Sequence, residues 1–79
     1  MKGGDIAAAR LVLRRAAGSG HPEAALALGA TYDPYVFGEL GVLGFGADAV
    51  QARYWYELAR KFGAREATQR IDRLTKLGR

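Results

Sequence analysis

The stretch "DAVQARYWYELARKFGAREA", residues 48–67, decides how the whole chain is read, because it has a counterpart earlier on. Residues 5–24, "DIAAARLVLRRAAGSGHPEA", keep the same beat of Asp, Ala-Arg, Ala, Gly and Glu-Ala. At an offset of forty-three, Asp5 falls on Asp48, Ala9 on Ala52, Arg10 on Arg53, Ala16 on Ala59, Gly20 on Gly63, Glu23 on Glu66 and Ala24 on Ala67. Leu11 meets Tyr54, Leu13 meets Tyr56 and Leu28 meets Ile71, so apolar positions align as well. Alanine matches come free in an alanine-rich chain; the Asp, Arg, Gly and Glu matches at one offset do not. A fixed period of this size marks a helical solenoid, in which each unit buries its apolar face only against its neighbours.

The local signals outline four helices in antiparallel succession, an all-α chain forming a single domain over 1–79. Asp5 is placed to cap a helix over about 6–17, with Ile6, Ala9, Leu13 and Ala16 on one stripe and Gly18 to Gly20 stopping it. Pro22 suits the first position of a second helix that runs to about Thr31, where Asp33-Pro34 breaks it. Residues 33–47, "DPYVFGELGVLGFGA", hold too many glycines for a continuous helix and too many apolar residues for a solvated loop. They read as a packed Ω-like loop with one helical turn around 35–40. Asp48 caps a third helix over about 49–62, with Ala52, Tyr56 and Ala59 inward and Trp55 beside them. A fourth, over 64–77, points Ala67, Ile71 and Leu74 inward.

Seventy-nine residues bury a limited core, about 60% of the unfolded surface. The chain has no cysteine, so neither a disulfide nor thiolate chemistry supplements it. No apolar run approaches the ~20 residues of a membrane helix, and "MKGGDIAAAR" lacks the apolar centre of an export signal. The net charge of +4 is uneven: residues 60–79 carry seven basic side chains against Glu66 and Asp72, while the first fifty-nine residues sum to −1. A basic end of this kind can attract nucleic acid or an anionic surface, although its arginines and lysines are spaced like the solvated face of a terminal helix.

Chemical constellations are missing. His21 is the only histidine and precedes Pro22, which makes it a turn residue and a poor metal ligand. Ser19, the sole serine, shares that turn, so no nucleophile–base pair can be assembled. "GELGVLGFG" has phosphate-loop glycines but no Gly-Lys-Ser/Thr after them, and Glu39 and Asp48 would repel phosphate. Neither an enzyme nor a cofactor or small-molecule site is expected.

Taken together, these residues resemble the Sel-one-like repeat, a relative of the tetratricopeptide repeat. Ala24, Leu28-Gly29 and Tyr32 match the first helix of its unit; Gly44 and Gly46, or less naturally Gly41-Val42, look like the turn glycines; Asp48, Ala52, Trp55-Tyr56, Ala59 and Gly63 match the second helix. Residues 5–20 then resemble the second helix of a preceding repeat, 21–63 one full repeat, and 64–77 the first helix of a following, capping one. The sequence departs from the family in three places. The span from Tyr32 to Asp48 is longer than usual, an insertion within 33–46. Val12-Leu13 stands where Trp-Tyr is expected, and Ile71-Asp72 where Leu-Gly is. Gly29 is costly inside a helix and is expected to be tolerated because Tyr56 or Trp55 packs on its bare backbone.

The resemblance implies an α-α superhelix that acts as an adaptor for protein or peptide partners, in bacteria often at the cell envelope. First helices would line a concave groove including Ala27, Ala30 and Thr31, with Arg70 and Arg73 one period on. Those arginines offer forked donors to a carboxylate. Tyr35 and Phe37 in the insertion are the other partner-binding candidates. Two alternatives stand beside this: a nucleic-acid or anionic-surface site over 60–79, and a structural capping segment of a longer repeat protein. Leu11 and Val12 are expected to face the vacant place of a preceding helix and to support self-association, most simply a two-fold dimer.

Overall fold

Residues at the joints set the helix ends. A computed structural model describes the backbone of residues 3–39 and 47–77, and the side chains of 6–36 and 47–76. It contains α1 (Gly3–Gly18), α2 (Pro22–Ala30), α3 (Pro34–Glu39), α4 (Ala49–Lys61) and α5 (Glu66–Leu77). There is no strand among the described residues, so the chain is all-α. The helix beyond the four expected is α3, six residues long, at the place of the helical turn expected near 35–40. The rest of the expected packed loop, 40–46, lies outside the described residues, as does the Phe37 side chain.

α1 starts at Gly3, which puts the Asp5 backbone inside its first turn instead of at the expected cap position. Pro22 opens α2 as expected. Asp48 caps α4 by accepting from the Val50 and Gln51 N–H groups at 3.0 and 3.2 Å.

α1 and α4 end in the same turn. The Gly20 N–H donates to Ala17 O at 3.0 Å and the His21 N–H to Ala16 O at 3.3 Å. Forty-three residues on, the Gly63 N–H donates to Arg60 O at 3.0 Å and the Ala64 N–H to Ala59 O at 2.9 Å. Gly20 and Gly63 both have positive φ, +90° and +109°, the left-handed geometry that such a C-cap requires.

The main packing runs α1 on α2, α2 on α4 and α4 on α5. Small residues bring these helices close: Ala17, Ala25, Ala52, Ala59 and Ala67 are fully buried. On α1 and α2 the buried alanines are Ala17 and Ala25, each one position after the expected Ala16 and Ala24, which are half-buried. Trp55 and Tyr56 fill the space between helices, joined by Leu28, Ile71 and Leu74. A Cβ at Gly29 would stand 2.5 Å from Tyr56 Cδ1 and 2.6 Å from Cε1, so the ring lies on bare backbone there. The molecule is a slab of 30 × 30 × 16 Å.

Candidate functional site

Asp33 follows α2 and is fully buried, an environment a carboxylate tolerates only when its oxygens are engaged. Its Oδ1 accepts from the Tyr35 N–H at 2.8 Å, which caps α3. Its Oδ2 accepts from the Tyr56 hydroxyl at 2.6 Å, and Arg73 Nη2 lies 4.0 Å from the same oxygen. The Arg73 guanidinium sits 4.8 Å over the Tyr35 ring. Arg70 Nη1 donates to the Tyr56 hydroxyl at 3.4 Å, while its Nη2 pairs with Glu66 Oε2 at 2.7 Å. Helices α2, α3, α4 and α5 are thus tied through one carboxylate and one phenol.

Burial, reinforced by the hydrogen bond to Asp33, pushes the Tyr56 phenol far above its ordinary value, and Arg70 opposes this only in part. Burial also works against the Arg70 charge, but the bonds to Tyr56 and Glu66 outweigh it and raise Arg70. Two arginines meet two carboxylates here, leaving no excess positive charge to recruit an anion. The cleft above them, about 210 Å³ and lined by Val36, Glu66, Gln69, Arg70 and Arg73, is polar and balanced.

A second cluster joins α1 to the end of α2. Arg10 Nε donates to Thr31 Oγ1 at 3.0 Å, Arg10 Nη2 donates to the Thr31 carbonyl, and the guanidinium stacks 3.7 Å over the Tyr32 ring. A cation on the last carbonyls of a helix complements its dipole. Arg14 Nη2 donates to the Tyr32 hydroxyl at 3.1 Å. Trp55 Nε1 is buried without an acceptor among the described residues.

The structure therefore brings Tyr35, Arg70 and Arg73 together around Asp33 and places Thr31 apart from them, under Arg10. Phe37 contributes its backbone to α3. Leu11 and Val12 stand exposed on α1, at 51% and 65% of their full accessible area, and Val50 and Tyr54 on α4, at 79% and 58%. Sequence reasoning missed Asp33 as a hub, treating Asp33-Pro34 only as a helix break. The signal was present in Tyr56, whose hydroxyl needs a partner once its ring is core. Among the described residues no group of His, Cys, Asp or Glu is placed to hold a metal, and no helix is long and apolar enough to cross a membrane. In comparisons with known proteins, no family model, no curated protein and no solved structure matches this chain.

Proposed function

We propose that the chain is a protein-interaction module of the Sel-one-like repeat kind, a segment of α-α solenoid that holds a protein or peptide partner. The observation that carries this reading is the pair of equal turns forty-three residues apart, at Gly20 and Gly63, matching in hydrogen bonds and in backbone hand. Two helices that end alike and are followed by helices packed on them are what a repeating α-α unit requires. The Gly29–Tyr56 contact supports it further, since the Leu-Gly and Trp-Tyr pairs of the resemblance meet there. The insertion does not interrupt the unit: the Asp48 N–H donates to the Tyr32 carbonyl at 2.7 Å, so the chain leaves and returns at one point.

Selection from a random-peptide display library against the folded chain tests the reading. Enriched peptides should perturb amide resonances over one contiguous helical surface. Repeated selection without enrichment would count against an interaction module and favour a purely structural segment.

A further inference from the structure

The exposed large apolar side chains among the described residues fall into a pattern. Leu11 and Val12 stand on α1, Val50 and Tyr54 on α4. Leu11 and Tyr54 are equivalent at the forty-three-residue offset, so the same side of each helix is bare. The two patches are linked: Arg14, one turn beyond Leu11, holds its guanidinium 6.0 Å from the Trp55 ring, and Trp55 meets the Tyr54 ring edge-on at 4.8 Å. Beside Tyr54 and Leu58 the surface dips into a hollow of about 460 Å³. A second hollow, about 240 Å³, lies beside Val50 and Leu74. α4 is thus apolar along its buried stripe (Ala52, Trp55, Tyr56, Ala59) and again along Val50, Tyr54 and Leu58. A helix apolar on two sides is ordinarily covered on both.

The margin of this surface is mostly basic. Arg14 and Arg15 flank the patch on α1, and Arg53, Arg60 and Lys61 flank it on α4. Among the described residues two carboxylates lie near it: Asp48, whose Oδ1 accepts from the Val50 N–H at 3.0 Å, and Glu57, which already lies between Arg60 at 2.5 Å and Arg53 at 3.9 Å. Five basic side chains against these two carboxylates leave an excess of three positive charges.

We infer that the outer sides of α1 and α4 form a docking surface for an acidic amphipathic helix. Its apolar stripe covers Leu11, Val12, Val50 and Tyr54, and its flanking carboxylates meet the basic margin. The inference rests on the interaction-module reading and moves the contact away from Arg70 and Arg73, whose guanidinium groups are engaged with Glu66, Tyr56, Asp33 and Tyr35. A second copy of the chain would bring the same basic margin. Nucleic acid would match the charge but leave the aliphatic patch uncovered.

The probe is a stapled helical peptide with leucines along one stripe and glutamates on both margins, compared with a twin carrying lysines instead. The readout is amide chemical-shift mapping on the isotope-labelled chain. The glutamate peptide should shift amides around Leu11, Val50 and Tyr54, and its affinity should fall as salt rises. The lysine twin should bind at least about tenfold more weakly. Val50→Glu, and separately Leu11→Glu, should each weaken binding by about tenfold with an unchanged far-UV circular dichroism spectrum, since both side chains are exposed. Equal binding of the twin overturns the charge argument and with it the inference. Shifts centred on Arg70 and Arg73 overturn this surface but keep the interaction module. A dimer of the unliganded chain that Leu11→Glu dissociates assigns the surface to a second copy, and an oligonucleotide that displaces the peptide assigns it to nucleic acid; either overturns the inference. Absence of shifts with either peptide counts against this surface alone, while failure of the display selection counts against the module.

Discussion

The Tyr56 hydroxyl donates to Asp33 Oδ2 at 2.6 Å, and both side chains are fully buried. That bond joins the ring that fills the centre of the stack to the carboxylate that ends α2 and begins α3. Removing only the hydroxyl, by Tyr56→Phe, keeps the ring against Gly29 and leaves Asp33 short of a donor. The cost should be about 1–3 kcal/mol in urea unfolding.

The same bond makes stability depend on alkaline pH. Unfolded Tyr56 ionises near 10.0, whereas burial and Asp33 raise the folded phenol well beyond that. The neutral phenol therefore contributes stability that is fully present below the unfolded value and is lost as pH rises above it. Above that value the unfolded chain binds fewer protons than the native one, so stability falls by about 1.4 kcal/mol per pH unit from this group. Tyr56→Phe should remove that component, and equal alkaline slopes for the two proteins would contradict the assignment.

Gly29 and Gly18 predict opposite outcomes for the same substitution. Ala is the better helix former by about 1 kcal/mol, but a Cβ at Gly29 would sit 2.5 Å from Tyr56 Cδ1 and 3.2 Å from the Ala52 carbonyl. Gly29→Ala should therefore destabilise by about 1–3 kcal/mol, because two fully packed elements must move apart. Nothing lies within 4 Å of a Cβ at Gly18. Gly18→Ala should raise stability by about 0.4–1 kcal/mol. Thermal unfolding of both variants checks the contrast.

The turn glycines should behave as a pair. Gly20→Ala and Gly63→Ala each force an L-residue to φ near +90° or +109°, with open space around the new methyl. Each should cost about 1–2 kcal/mol from backbone strain alone. Similar costs at the two sites would match the recurrence of the turn.

How much of this was legible from the sequence depended on whether a residue's role was local. Pro22, Asp48, Gly20 and Gly63 act within a few residues of themselves, and their positions announce helix ends. The Gly29–aromatic contact was legible because a glycine inside a helix needs a reason. Asp33 was not, since its burial depends on α4 and α5, which meet it from 23 residues away and beyond. Arg70 and Arg73 looked available to a partner for the same reason. Their spacing was plain, and Glu66 lies one turn before Arg70 on the same helix, but Tyr56 on α4 and Asp33 and Tyr35 beside α2 became neighbours only on folding.

Trp55 separates ring from N–H. Its ring is buried, while its Nε1 finds no acceptor among the described residues. Trp55→Ala should cost about 3–5 kcal/mol, enough to unfold most molecules of so small a domain. Trp55→Phe should be far milder, because part of the lost volume is offset by removing a desolvated donor. Chemical unfolding of the two variants, followed by circular dichroism, gives the comparison.

The basic end leads to the last expectation. Residues 60–79 carry an excess of five positive charges in sequence, a balance that would suggest phosphate binding if those charges shared a free face. The fold engages three of them. Arg60 bonds Glu57 at 2.5 Å, Arg70 bonds Glu66 at 2.7 Å, and Arg73 sits between Asp33 and the Tyr35 ring. Each such pairing removes a cation from any phosphate-contacting set, and affinity for nucleic acid rises with the number of phosphates neutralised. Labelled DNA and RNA should therefore bind no tighter than about 10⁻⁴–10⁻⁶ M at physiological salt, the non-specific range. Anisotropy titrations at several salt concentrations measure both the affinity and its slope. Sub-micromolar binding that is abolished by Arg65→Glu, Arg70→Glu and Arg73→Glu together would make α5 a nucleic-acid site and displace the interaction-module reading.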